Sequence, residues 1–146
     1  MSAVSGFNHV GIITDDLATI RRVFGSVLGV EVGEVTFEPH LGAEFLWVHV
    51  GGVALEFIAP VSPDSRPAQL IREGRAGVHH VALTVADADA ALQMVRNAGI
   101  ETIDSVPRAG AHGTRIGFVE PQQVAGTLVE LVQPAPANQR TQEEES

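Results

Sequence analysis

Two short stretches of this chain follow one pattern, and that repetition restricts the fold more than any other feature. Phe7-Asn8-His9-Val10-Gly11-Ile12-Ile13-Thr14 recurs as Val78-His79-His80-Val81-Ala82-Leu83-Thr84-Val85. Both alternate with a period of two. His9, Gly11 and Ile13 stand opposite Val10 and Ile12, and His80, Ala82 and Thr84 stand opposite Val81, Leu83 and Val85. Successive side chains of a strand point to opposite faces, so each stretch reads as a strand with one aliphatic face and one face bearing a histidine.

The segment after each strand repeats as well. Asp16 introduces Leu17, Ile20, Val23, Phe24, Val27 and Leu28, with Gly29 at the end; Asp87 introduces Ala91, Leu92, Met94 and Val95, with Gly99 at the end. Apolar residues three and four apart, an aspartate ahead and a glycine behind specify a capped amphipathic helix, about 13 residues long in the first copy. Strands are predicted at 30–36, 43–50 and 53–59, the last two joined at Gly51-Gly52 as a hairpin. The second copy continues with strands at 100–106, 114–119 and 127–132, around a glycine-bearing loop at 107–113. His9 and His80 are 71 residues apart, as are Asp16 and Asp87, and Glu56 and Glu130 on the last strands are 74 apart. The chain is therefore read as an α+β protein built from an internal repeat of a βαβββ unit. The modules are residues 1–59 and 78–133, joined by a proline-bearing linker at 60–77 with a helical turn at 68–72. A polar, acidic tail at 134–146 is expected to be disordered.

Composition narrows the chemistry. Cysteine and tyrosine are absent, and the basic residues, nine in all, are every one arginine. Disulfides, thiolate nucleophiles, sulfur-ligated metals, Schiff-base lysines and tyrosine acids are thereby excluded. Eighteen Asp and Glu give a net charge of −9, which argues against nucleic-acid binding but not against a small anion held by a few arginines. No apolar run reaches the length of a membrane span. Met1-Ser2-Ala3-Val4-Ser5 lacks the charged and apolar regions of a signal peptide, so a cytoplasmic protein is expected.

The repeat places one histidine on the first strand and one glutamate on the last strand of each module. Glu56 shares its face with Ala54 and Ile58, and Glu130 with Leu128 and Val132, where a half-buried strand would carry apolar residues. A carboxylate facing a sheet interior must be paired, protonated or metal-bound, because desolvating it alone costs several kcal/mol. No arginine lies on either strand, which leaves a divalent metal as the simplest partner. His9, Glu56, His80 and Glu130 make a mixed N/O set suited to one ion of Co, Mn, Ni, Zn or Fe, and less to calcium. His79 competes with His80, but parity assigns it to the other face.

These features resemble the vicinal oxygen chelate superfamily, the glyoxalase and bleomycin-resistance group, and within it the methylmalonyl-CoA epimerases. The resemblance rests on 7–12, Ala76-Gly77-Val78-His79-His80-Val81-Ala82, Gly110-Ala111-His112-Gly113-Thr114-Arg115-Ile116-Gly117-Phe118, the Glu120-Pro121 turn and 126–131. It implies a cupped, barrel-like mixed sheet with the helices outside, a metal held by His9, Glu56, His80 and Glu130, and proton transfer at the α-carbon of a malonyl-type acyl-CoA through a stabilised enolate. Glu130 is one implied base. Glu44 is the other, reached with a one-residue slip, and His40 is the alternative to it. A homodimer is expected.

His112 is a candidate for contact with substrate, and Arg108 and Arg115 for an anionic group on it. Trp47 and His49 read as packed core residues. The same fold and ligands would also suit a glyoxalase-type isomerase, a specialised biosynthetic isomerase or cyclase, or a non-catalytic binding or resistance protein.

Overall fold

The computed structural model describes residues 2–137, so the expected tail lies outside the described residues from 138 onward. The elements are β1 (Val4–Ile13), α1 (Leu17–Arg21), β2 (Glu31–Val32), β3 (Thr36–Glu38), β4 (Ala43–Val50), β5 (Val53–Pro60), α2 (Arg66–Arg72), β6 (Gly77–Val85), α3 (Ala88–Asn97), β7 (Arg108–Ala109), β8 (Arg115–Val119) and β9 (Val129–Gln133). Among the described residues the architecture is α+β, with nine strands in a mixed sheet. Contacts divide the chain into two compact units, one formed by Asn8–Val81 and the other by the residues before Asn8 together with those from Ala82 on.

In the unit Asn8–Val81, β1 runs parallel to β5, β5 pairs antiparallel with β4, and β2 and β3 both pair antiparallel with β4. The single strand predicted at 30–36 is thus two short edge strands. One face of this sheet buries Leu46, Val48 and Phe57, with Ile12 and Leu55 against Leu17, Ile20 and Phe24 of the first helix. That helix opens on Asp16, whose carboxylate accepts from the Thr19 N–H at 2.9 Å. After Arg21 the winding widens to a π-helix over Arg22–Val27, and the Leu28 N–H donates five residues back to the Val23 carbonyl at 3.0 Å. The wider turn shifts the helical phase from there on. Val23, Val27 and Leu28 are consequently exposed, where the periodicity had put them on the buried stripe. The linker carries a longer helix than the predicted turn, because Ser65 caps it and Pro67 fits its first turn.

In the other unit, β8 pairs antiparallel with β7 and β9. Val85, Ala88, Ala91, Leu92, Val119 and Leu131 form its core. Gly117 lets α3 come close: a Cβ there would stand 2.6 Å from Leu92 Cδ1. The strand predicted at 100–106 reduces to one bridge between Thr102 and Val119. Asp104 explains the shortening, since its carboxylate accepts the Phe118 N–H at 2.8 Å and so takes a place that a strand carbonyl would fill. Pairing resumes at Arg108 and Ala109, inside the expected loop. No helix among the described residues is long and apolar enough to cross a membrane.

Leu92 is fully buried, and Leu92→Ala is expected to cost about 2–5 kcal/mol of unfolding free energy. Urea denaturation measures this, and a loss below about 1 kcal/mol would contradict the tight packing of α3 on Gly117.

Candidate metal centre

Register decides which side chains share a face. Gly11 of β1 lies opposite Glu56 of β5, and Trp47 of β4 lies opposite the same Glu56. Paired residues point the same way, so His9, Gly11, Trp47 and Glu56 stand together on the face away from the first helix. His80 of β6 completes the group. All three potential ligands are buried, His9 at 3% exposure, His80 at 4% and Glu56 at 5%.

Their ligating atoms converge. His9 Nε2 lies 3.0 Å from His80 Nε2 and 3.6 Å from Glu56 Oε1, and one ligand atom from each residue falls within 4.8 Å of the others. Donors about 2.1 Å from a common ion stand roughly 3.0–3.4 Å apart in octahedral or tetrahedral arrangements, so two imidazole nitrogens and a carboxylate at these separations fit a divalent transition metal. Gly11 makes the convergence possible, because a Cβ at that position would overlap the His80 imidazole. Trp47 sets its ring edge-on to His9, with centroids 5.1 Å apart. Burial, and then the neighbouring His9 and His79, push His80 down to about 3. The ring is therefore neutral and keeps a lone pair for a ligand.

Glu130 belongs to the other unit. It is 5% exposed on β9, opposite Phe118. Burial pushes its carboxyl up to about 8; the Arg108 guanidinium opposes the shift and Asp104 adds to it. Arg108 pairs with Asp104 at 3.1 Å and lies over the Phe118 ring at 5.1 Å. His112 sits half-buried in a tight turn with φ of 58°. Arg115 is bound to Asp89 of α3 at 3.1 Å, and shares its face of β8 with Gly117, the face that packs on α3.

Glu44, His79, Trp47 and His49 stand otherwise than the sequence suggested. Glu44 is three residues from Trp47 on an unbroken strand, so it points to the helix side with Leu46 and Val48. Phe45, 4% exposed, occupies the His9 side instead, and Glu44 is not retained as a base. His40, its alternative, lies in the turn before β4, 3.7 Å from Glu38. His79, set aside by parity, brings its Nδ1 to 2.9 Å from His80 Nδ1. Trp47 touches a ligand rather than only filling the core, and His49 is exposed and stacked on it.

The profile of the glyoxalase/bleomycin resistance protein/dioxygenase superfamily matches residues 8–118. The chain belongs to this superfamily. It is 33% identical to the mitochondrial methylmalonyl-CoA epimerase of Bos taurus over 127 residues, 86% of this chain and 73% of that protein. With the ethylmalonyl-CoA/methylmalonyl-CoA epimerase of Cereibacter sphaeroides it shares 32% over 132 residues, 89% of this chain and 98% of that one. The crystal structure of methylmalonyl-CoA epimerase from Mycobacterium tuberculosis superimposes with a TM-score of 0.83 at 29% identity, covering 93% of this chain and 92% of that chain. The fold is thus the vicinal oxygen chelate fold, as the family resemblance implied.

Of the residues that touch the ligands, Asn8 was passed over by sequence reasoning, His79 was assigned to the other face, and Trp47 was read as core. The first two carried a readable signal, since each stands immediately before a repeat histidine. Gly11→Ala is expected to keep the fold but to displace the His80 ring and lower affinity for added Zn²⁺ by at least about tenfold. Calorimetric titration reads this, with circular dichroism as the check on folding. Unchanged Zn²⁺ affinity would contradict the role given to Gly11.

Proposed function

We propose that the chain is a metal-dependent epimerase or closely related isomerase that moves the α-proton of a malonyl-type acyl-CoA such as methylmalonyl-CoA. The observation that carries this is the buried His9, Glu56 and His80 cluster, in a chain whose relatives at about one-third identity are named for that reaction. A divalent ion of Co, Mn, Ni, Zn or Fe held there, with Glu130 as the fourth ligand by family resemblance, would supply Lewis-acid stabilisation of the charge that develops on substrate oxygen, worth several kcal/mol.

The chain's own groups do the rest. Glu130 is the proton carrier. Burial raises its carboxyl when no ion is bound, and a carboxyl that takes a proton readily suits a group that loosens from the ion to take a proton and give it back. Trp47 packs on the His9 ring and limits its movement. Arg108, half exposed beside Asp104, and His112 are the proposed contacts to the anionic and polar parts of the substrate. A cytoplasmic homodimer is the proposed setting.

A second reading has one observation behind it. Inverting a carbon calls for proton delivery from the side opposite to removal, and β4 offers Phe45 rather than a carboxylate on the His9 face. A reaction served by a single carrier, as in a glyoxalase-type isomerase, needs no second base.

One experiment separates the readings. Metal-loaded protein is incubated with a single epimer of methylmalonyl-CoA in deuterated water, and deuterium at the α-carbon and epimer content are both followed. Exchange with inversion is expected, and Glu130→Gln should slow it by about 10²–10⁴-fold. Exchange with retention would favour the single-carrier reading. The absence of exchange with every malonyl-type thioester tried, under conditions that support a known epimerase, would sink the proposal.

A further inference from the structure

Arg108 stands on the same face of its unit's sheet as Glu130. Arg108 pairs with Ile116 across β7 and β8, Phe118 pairs with Glu130 across β8 and β9, and Ile116 and Phe118 are two residues apart on β8. Paired residues point the same way, so Arg108, Ile116, Phe118 and Glu130 share one face. The other face carries Gly117 and Leu131 toward α3. The charge of the half-exposed Arg108 is felt at the buried Glu130 carboxyl.

The guanidinium is held on two sides. Its Nε lies 3.1 Å from Asp104 Oδ1, and its Cζ lies 5.1 Å from the centroid of the buried Phe118 ring, within the range of a cation–π contact. Asp104 is itself fixed. Its Oδ2 accepts the Phe118 N–H at 2.8 Å, and its carbonyl accepts from the Thr102 hydroxyl at 2.7 Å and from Arg96 Nη1 at 3.4 Å. The Asp104 side chain is 13% exposed, so this is not a loose surface pair whose geometry solvent decides. Asp104 takes the donor on Nε, and the donors on Nη1 and Nη2 meet no acceptor among the described residues. A planar guanidinium with a fixed orientation and unused donors suits a carboxylate, which it binds through two parallel hydrogen bonds.

We propose that Arg108 binds the free carboxylate of a malonyl-type acyl thioester and that Asp104 is the positioning residue that aims it. This rests on the acyl-CoA part of the proposed function and names the group on the substrate that Arg108 takes. Position along the substrate decides between its anions. The carboxylate is bonded directly to the α-carbon at which Glu130 moves a proton, whereas the phosphates lie beyond the whole pantetheine arm. Arg108 shares a face and an electrostatic interaction with Glu130, so the anion that meets Arg108 while Glu130 meets the α-carbon is the carboxylate. A simple acyl thioester offers Arg108 nothing to bind. The Asp104 and Arg108 pair is therefore also a specificity device, since a site built to hydrogen-bond a group discriminates against the analogue that lacks it.

The test is calorimetric binding of methylmalonyl-CoA and of propionyl-CoA, which has the phosphates but not the carboxylate, to the metal-loaded full chain. The wild type should prefer methylmalonyl-CoA. Arg108→Lys, which keeps the charge and loses the fork, should weaken methylmalonyl-CoA binding by about tenfold, and Arg108→Gln by about 10–100-fold. Propionyl-CoA binding should not change, which also shows that the variants are folded. Asp104→Asn keeps an acceptor for the Phe118 N–H and removes the charge that holds Arg108, so it should lower the same preference by about fivefold. Combined with Arg108→Gln it should add nothing, because Asp104 acts through Arg108. Equal losses for the two thioesters in the Arg108 variants would assign Arg108 to the phosphates and overturn the proposal. So would an undiminished preference in Asp104→Asn, or a wild type that shows no preference or binds neither thioester. Deuterium exchange at the α-carbon judges the epimerase reading separately: exchange without any loss of preference in the variants sinks only the carboxylate assignment, and loss of preference without exchange sinks only the epimerase.

Discussion

Everything at the centre depends on packing two imidazoles and a carboxylate against one another in a buried place. Burying a carboxylate alone is unfavourable by several kcal/mol, and at His9, Glu56 and His80 the backbone brings the polar atoms together rather than apart. Strand register does this for His9 and Glu56, because parallel pairing puts Gly11 against Glu56 and so sets His9 one alternation away on the same face. The absence of a side chain at Gly11 does it for His80. Neither device would work in a sheet slipped by one residue, since a slip moves every side chain to the other face.

The same alternation separates what was legible in the sequence from what was not. Period-two patterns and the 71-residue repeat led correctly to the first and sixth strands and to the pairing of His9 with His80. Asp87 and Gly99 marked α3 for the physical reasons expected, a cap that accepts from the Ala90 N–H and a glycine at positive φ beyond the end. Local patterns failed where a long-range or irregular interaction took over. The π-helical turn after Arg21 has no sequence signature in a 3.6-residue period, and it freed Val23, Val27 and Leu28 from the stripe. Asp104 took a ladder hydrogen bond that periodicity could only assign to backbone.

Parity also misled in one instructive case. It placed His79 opposite His80, which is true of the Cβ directions, but the two imidazole rings still meet, at 87° with centroids 5.1 Å apart. For Glu44 the opposite holds. A short carboxylate between Phe37 and Ala59 stays on the side where its Cβ points, so the family expectation of a second carboxylate there cannot be met by a slip in alignment. Phe45 is what the strand presents on the His9 face, and an apolar ring there neither takes nor returns a proton.

The duplicated unit is therefore symmetric in its histidines and asymmetric in its carboxylates. Glu56 has an imidazole within 3.6 Å. Glu130 lies opposite Phe118, and the Arg108 guanidinium that would stabilise its charge is itself paired to Asp104. An ion pair offers a third charge much less than a free cation does, because the field of one member cancels much of the other's. Burial then prevails for Glu130, and its carboxyl holds a proton to higher pH than usual. Two glutamates at equivalent places in a repeat thus meet different neighbours: Glu56 stands beside His9, and Glu130 stands opposite Phe118, where burial raises its carboxyl.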